Sequence, residues 1–176
     1  RIVETYPDGV WFVDLSGIAD PSLAPQQIAS VLGLRQRADL PLLGILSNHL
    51  RKAKLLLVLD NCEHLLPSCA ELIETLLVGA PPLLIVATSR ESLGVTGGVE
   101  YAVEPLEVPP AAAHPGETTS VDAVRLFLDR ASARSGLAAT PTAVATVARI
   151  CRDLDGIPLA IELAAARTRA LSVDEI

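Results

Sequence analysis

The chain has 176 residues, a net charge of −7 and an apolar fraction of one half. This size and composition predict a globular protein with a substantial core. Binding nucleic acid through phosphates requires clustered cations, and with Lys52 and Lys54 as its only lysines the chain is a poor candidate for direct nucleic-acid contact. No apolar run reaches the roughly 18 residues of a membrane span, and the first residues do not form a signal peptide. We therefore expect a cytoplasmic protein that does not contact membranes.

The chain contains no methionine and begins at Arg1. Near its end, Ser172 and Glu175 have the Ser-x-x-Glu spacing of a capping box, which marks the start of a helix. From these two features we expect a fragment of a longer protein whose last helix is cut short.

Three cysteines, Cys62, Cys69 and Cys151, occur within apolar patterns. Their odd number and their setting predict reduced thiols in the core rather than disulfides. Cys62, His64 and Cys69 could be combined into a metal site, but a fourth ligand is missing and the spacing does not fit a zinc finger. Core packing is the favoured interpretation.

The first hundred residues alternate between strand and helix patterns. Continuous apolar runs are typical of strands buried on both faces, and apolar residues recurring at three and four are typical of amphipathic helices. The predicted strands are residues 10–15, 55–60, 83–88 and 100–103, and the predicted helical segments are residues 1–6, 26–32, 41–50 and 65–77. Strands that alternate with helices in this way argue for a parallel α/β sheet.

A change of composition follows the predicted sheet. Residues 105–118 are rich in Pro, Ala, Gly and Glu, which indicates a linker or exposed loop. Beyond them the pattern is helical throughout, with segments at residues 124–131, 144–154 and 158–164 and another beginning at 171–172. We predict an α/β domain at 1–104, a linker at 105–118 and a truncated helical subdomain at 119–176.

The strand at residues 55–60 ends in Asp60. In open α/β sheets, the chemistry gathers beyond the carboxyl ends of the strands. In a P-loop nucleotidase, an acid at this position holds Mg²⁺ against the phosphates, which is the Walker B role. The structural alternative is an N-cap, because Asp accepts the free N–H groups of a following helix. The two roles are compatible.

Three motifs together resemble the NB-ARC branch of the STAND nucleotidases. They are LLLVLDNCEHL at residues 55–65, ATSR at 87–90 and GIPLAIELAA at 156–165. More narrowly, the motifs are similar to the ATPase region of large bacterial transcriptional regulators of the LuxR and SARP kinds. The resemblance covers almost the whole chain, and its last motif is the most specific.

The resemblance implies ATP or ADP as ligand, with Mg²⁺ held by Asp60 at the catalytic position. It also implies that Arg90 is a sensor arginine, which reaches the γ-phosphate and so distinguishes ATP from ADP; the alternative for Arg90 is a surface ion pair. Gly156 and Pro158 would lie near the adenine and ribose. Their alternative role is helix punctuation, with Gly ending one helix and Pro beginning the next.

Two departures from the family pattern limit the implied activity. Asn61 stands where hydrolysing relatives often carry a second acid, and an amide cannot act as a general base. Glu63 is not a clear substitute, so we expect slow hydrolysis at most. A Walker A loop needs glycines followed by Lys and Ser or Thr. Neither Lys52 nor Lys54 follows a glycine, so the sequence contains no Walker A loop.

The predicted fold is therefore an α/β, parallel P-loop NTPase-type sheet followed by a helical lid. The sheet is expected to be incomplete, with a central P-loop strand missing between the Asp60 and Arg90 strands, so these two strands either close the gap and pair or leave ladder edges unmet. The predicted function is a nucleotide-binding switch segment. On its own the chain is expected to bind ATP barely or not at all, because it lacks a Walker A loop. DNA-binding and sensor domains would lie elsewhere in the parent, and homo-oligomerisation is left open. The alternatives are a nucleotide-free scaffold or oligomerisation module, and part of a faster AAA-like ATPase.

Overall fold

A computed structural model describes residues 2–36, 40–111, 118–135 and 138–176. The chain divides into two compact units, Arg1–Glu100 and Tyr101–Ile176, and each is described by itself. In the described part of the chain, no helix is both long and apolar enough to cross a membrane.

The first unit alternates between strands and helices, as predicted. Its strands are β1 (Val10–Asp14), β2 (Leu56–Asp60) and β3 (Leu84–Ala87), and its helices are α1 (Ile2–Thr5), α2 (Ala24–Val31), α3 (Leu42–Leu50) and α4 (Leu66–Gly79). Short 3₁₀ helices, Pro21–Leu23 and Cys62–Leu65, precede α2 and α4. The predicted strand–helix order of this half of the chain is confirmed.

The three strands form one parallel sheet in the order β1-β2-β3. Leu56 is the register partner of both Val10 and Leu84. The strands β2 and β3 are thus direct neighbours, and of the two outcomes expected at this position, pairing of the two strands is the one found. Their backbone groups pair with each other without a gap, because α4 returns the chain to the adjacent position for a parallel strand.

The sheet buries one face more fully than the other. Odd-numbered residues such as Val13, Leu57 and Leu59 are fully buried in a core shared with α2, α3 and α4. On the opposite face Phe12 is 58% exposed and Val86 is 46% exposed. Strands connected in one direction along a sheet place their right-handed crossovers on the same face, which explains this asymmetry.

The predicted short strand at residues 100–103 is not formed. This segment has neither strand nor helix, and Tyr101 and Val103 are 88% and 86% exposed. Alternation of apolar residues favours a strand only when a neighbouring strand supplies the ladder of hydrogen bonds. A turn at Gly97 and Gly98 precedes this segment, and it is closed by a hydrogen bond from Gly98 N–H to the Val95 carbonyl (3.0 Å).

The second unit is helical. Its helices are α5 (Asp122–Ser135), α6 (Pro141–Asp153) and α7 (Pro158–Arg167), and α5 contacts both of the others. Phe127 lies fully buried at the centre of their core. Leu106 and Val108, in the described part of the predicted linker, pack against this core, and residues 112–117 lie outside the described residues.

The predicted capping box is partly formed at the end of the chain. The Glu175 carboxylate accepts hydrogen bonds from the Ser172 backbone N–H (2.8 Å) and hydroxyl (2.7 Å). These bonds, the N–H bond first, lower the pKa of the Glu175 carboxyl. Residues 173–175 form a turn, so the predicted helix does not develop within the chain.

Candidate functional site

Asp60 lies at the carboxyl end of β2, beside Asp14 at the end of β1. The Asp60 Oδ1 atom accepts a hydrogen bond from the Thr88 hydroxyl (2.5 Å), and Oδ2 accepts one from the Asn61 side-chain amide (3.1 Å). Neither bond comes from a helix N–H, and the cap residue of the following 3₁₀ helix is Asn61. The N-cap interpretation of Asp60 is therefore wrong.

Asn61 occupies a left-handed backbone conformation, with φ 61° and ψ 54°. Asn is one of the few non-glycine residues that visit this region. Its backbone N–H donates to Thr88 Oγ1 (3.1 Å), and its side-chain amide also lies 3.4 Å from Asp14 Oδ1. Asn61 thus connects two carboxylates on neighbouring strands.

Asp14 and Thr88 did not emerge from the sequence as site residues. Asp14 ends β1 and Thr88 directly follows β3, at the same edge of the sheet as Asp60, and strand registration could have identified them. The Ser16 N–H donates to Asp14 Oδ1 (2.8 Å), and this bond is the main cause that lowers the pKa of Asp14. Asp14 therefore carries a negative charge at neutral pH.

Arg90 follows β3 and forms an ion pair with Glu63. The Arg90 Nε atom donates to Glu63 Oε1 at 2.9 Å, and the two side chains are 84% and 18% exposed. The surface ion pair considered from the sequence is therefore present. Such an exposed pair contributes little to stability, because water screens it. Arg90 can change partner at small cost.

The loop between Asp60 and α4 is anchored on both sides. Cys62 N–H donates to the Thr88 carbonyl (3.0 Å), which fixes the loop to β3. The His64 Nε2 atom lies 2.9 Å from the Ile18 carbonyl, which fixes it to the segment after β1. Cys62 and Cys69 are buried and free, as predicted, and a hydrogen bond between them raises the pKa of Cys62 and lowers that of Cys69.

Gly156 and Pro158 belong to the second unit. Gly156 has φ +69°, and its N–H donates to the Cys151 carbonyl (3.1 Å) at the end of α6. A Cβ at Gly156 would lie 2.1 Å from the Leu106 carbonyl oxygen, so the close approach here is made by protein backbone. Pro158 is exposed in the first turn of α7. Both residues therefore punctuate helices, and nucleotide contact at Gly156 and Pro158 stays a prediction.

The first unit supplies oxygen ligands but no phosphate cradle among its described residues. Asp60, Asp14 and Asn61 present carboxylate and amide oxygens, which suit Mg²⁺. Among the described residues, no group of three or more His, Cys, Asp or Glu is disposed to hold a metal ion. A bound Mg²⁺ would then depend on water and phosphate oxygens as well as on Asp60.

A cavity of about 390 Å³ lies near Trp11 and Leu55, the beginnings of two strands. Its lining includes His49 and Lys52 but none of the predicted site residues. The cavity is therefore separate from the Asp60 edge of the sheet.

No protein-family model matches the chain. It is 40% identical over 177 residues to a Mycobacterium tuberculosis protein named "Uncharacterized protein", a match that covers 100% of this chain and 42% of the relative. It is 41% identical over 170 residues to another Mycobacterium tuberculosis protein, named "Putative HTH-type transcriptional regulator", a match that covers 96% of this chain and 18% of that protein. Mycobacterium bovis proteins match with the same values. The chain thus spans less than half the length of the curated relatives that it matches.

Proposed function

We propose that the chain is the nucleotide-switch segment of a longer transcriptional regulator that binds ATP or ADP with Mg²⁺. The observation that carries the proposal is that Asp60 and Arg90 come from the same edge of the sheet. Asp60 ends β2 and Arg90 lies three residues beyond the end of the neighbouring parallel strand β3, and the hydroxyl of Thr88, two residues before Arg90, donates to the Asp60 carboxylate. A metal-binding acid and a phosphate-sensing cation would need to share an edge, because both act on one triphosphate.

Asp60 would hold Mg²⁺, which neutralises phosphate charge when bound. Mg²⁺ usually keeps several waters and binds through one or two carboxylates plus phosphate oxygens, so the Asp60 edge is chemically sufficient on the protein side. Arg90 would exchange the Glu63 carboxylate for the γ-phosphate. The exchange is favourable because a phosphate offers a guanidinium strong charge-assisted hydrogen bonds, whereas the exposed ion pair is weak.

Within the second unit, Pro158 and its neighbours would offer an apolar contact for an adenine base. The residues on either side, Ile157 and Leu159, are 48% and 66% exposed, so this turn presents an apolar surface to solvent. A flat base packs well on such a surface, since apolar contact is non-directional. Gly156 would act indirectly, by letting the chain turn tightly before Pro158.

The site favours a switch over a fast hydrolase, the AAA-like alternative. Asn61, which directly follows Asp60, carries an amide that cannot act as a general base. The regulatory role is supported by the name of one relative and by the lengths of both, which leave room for DNA-binding and sensor domains. The net charge of −7 is consistent with DNA contact by another domain.

The test uses a longer polypeptide that contains this chain and has the length of its relatives, called here the extended polypeptide. Its Asp60→Ala variant is titrated with MgATP by calorimetry. We expect weaker binding at an unchanged fold, whereas Asp20→Ala, which removes another exposed acid of the same unit, should bind as the wild type does. Equal MgATP affinity in the Asp60→Ala variant and the wild type would refute the Mg²⁺ role. The 176-residue chain alone should bind MgATP barely or not at all, because the described residues include no Walker A loop.

A nucleotide-free scaffold is the second candidate. The exposed apolar residues Phe12, Leu84 and Val86 on one face of the sheet favour it, because such a surface promotes association. Absence of nucleotide binding in the extended polypeptide, together with a stable oligomer, would support the scaffold instead of the switch.

A further inference from the structure

The Asp60 carboxylate is held from two sides. The Thr88 hydroxyl donates to Oδ1 at 2.5 Å, and the Asn61 amide donates to Oδ2 at 3.1 Å. Hydrogen bonds to an ionised acceptor are stronger than those between neutral groups. Each oxygen of Asp60 is therefore fixed by a different residue.

The two donors are also bonded to each other. Asn61 N–H donates to Thr88 Oγ1 at 3.1 Å, and Thr88 N–H donates to the Leu59 carbonyl at 2.9 Å. These bonds close a ring across the ends of β2 and β3. The ring requires the left-handed backbone of Asn61, a conformation that persists only where the surrounding contacts determine it.

We propose that Thr88 and Asn61 are positioning residues, which hold the Asp60 carboxylate in one rotamer ready for a divalent cation. The inference rests on the proposed function, in which that cation is Mg²⁺. Each carboxylate oxygen has about two acceptor sites, so one hydrogen bond to each leaves room for a metal ion. Thr88 and Asn61 act through Asp60 and need not touch the ligand.

The ring lies outside the core, so a role in positioning Asp60 can be distinguished from a role in stabilising the fold. Thr88 is exposed and Asp60 is half-buried, so removing the hydroxyl leaves no acceptor stranded in the core. Loss of the ring should therefore free the Asp60 side chain while leaving the sheet folded.

The first experiment measures the Asp60 rotamer in the chain without metal, from three-bond NMR couplings to its carboxyl carbon. In the wild type and in Thr88→Ser, which keeps the hydroxyl, we expect one rotamer. In Thr88→Val and in Asn61→Gly, which keeps the left-handed backbone but loses the amide, we expect averaged couplings. Thr75→Val is the control, because it removes a hydroxyl bonded to the Glu71 carbonyl in the same unit. Unaveraged couplings in both Thr88→Val and Asn61→Gly would overturn the proposal.

The second experiment places the same substitutions in the extended polypeptide, titrates each variant with Mn²⁺ in the presence of ATP and follows paramagnetic broadening near Asp60. We expect Thr88→Val to weaken Mn²⁺ binding by about tenfold, the lower end of the loss that follows removal of outer-shell partners of metal ligands. Thr88→Ser and Thr75→Val should stay near the wild type. Equal affinity in wild type and Thr88→Val would overturn the cation part of the inference. If the couplings change as expected but the wild type shows no broadening at Asp60, the positioning role stands and the Mg²⁺ role in the proposed function fails.

Discussion

Replacing Gly156 with alanine should destabilise the second unit severely. Gly156 has φ +69°, and an added Cβ would lie 2.1 Å from the Leu106 carbonyl oxygen. That oxygen belongs to backbone, so it cannot turn aside as the end of a flexible side chain could. The same Leu106 donates its N–H to the Gly156 carbonyl (2.9 Å), so any retreat of Leu106 also breaks this hydrogen bond.

The magnitude follows from three contributions at Gly156. A left-handed backbone costs a non-glycine residue about 1 kcal/mol. Forcing an extra methyl group into a filled space costs about 1–3 kcal/mol. Loss of the hydrogen bond from Leu106 costs about 1 kcal/mol. The expected total is about 4 kcal/mol, a large share of the 5–15 kcal/mol that stabilises a typical domain.

Two other glycines provide matched controls. Gly33 has φ +70° with no atom within 4 Å of the added Cβ, so Gly33→Ala should cost only about 1 kcal/mol. Gly44 lies inside α3 with open space around it, so Gly44→Ala should stabilise by about 0.5–1 kcal/mol. Comparing the three variants separates the free-energy cost of the left-handed backbone from the cost of the contact with the Leu106 carbonyl oxygen.

Urea unfolding followed by circular dichroism measures the free energy of unfolding of each variant. Amide hydrogen exchange assigns the loss, which should concentrate in α6 and α7 in Gly156→Ala. Fluorescence of Trp11, the single tryptophan of the chain, reports on the first unit and should change little. If Gly156→Ala costs no more than Gly33→Ala, the contact with Leu106 does not constrain Gly156 and the reasoning is refuted.

Three further predictions concern the cysteines and the sheet. Burial raises the pKa of Cys151 from 9.0 to about 11, so this thiol should lower stability as pH rises from 9 towards 11, by up to about 1.4 kcal/mol per pH unit, and the Cys151→Ala variant should show a shallower slope than the wild type in pH-dependent urea unfolding. All three thiols are buried and should react with an aromatic disulfide reagent at pH 8 only at the rate of unfolding; fast reaction of folded protein would contradict their core placement. Phe12→Asp should weaken self-association of the chain in analytical ultracentrifugation by about tenfold, since burial of an exposed Phe contributes about 1.5 kcal/mol, whereas association unchanged by this variant would show that copies meet elsewhere.

The strands β1, β2 and β3 could be predicted because their apolar runs are continuous and bounded by turn signals. The strand at 100–103 was wrongly predicted, since its apolar alternation says nothing about whether a neighbouring strand exists. The sequence does not decide whether β2 and β3 pair directly. Strand adjacency depends on long-range pairing, and no local pattern records it.

Part of the candidate site could be predicted in the same way. Asp60 and Arg90 are visible because each follows an apolar strand. The ring formed by Thr88 and Asn61 depends on the register between strands and on one left-handed residue, so it appears only in three dimensions. The close approach of Leu106 to Gly156 could likewise not be predicted, because the two residues are 50 positions apart in the sequence.

Arg90 is the residue at which a nucleotide-sensing role of this chain can be decided. Calorimetry gives the dissociation constants of MgATP and MgADP for the extended polypeptide, for its Arg90→Ala variant and for Arg51→Ala, a control at another exposed arginine. We expect Arg90→Ala to weaken MgATP binding by about tenfold or more while MgADP binding stays near the wild type, because a sensor arginine contacts only the third phosphate. Equal losses for both nucleotides, or no loss for either, would rule out the sensing role.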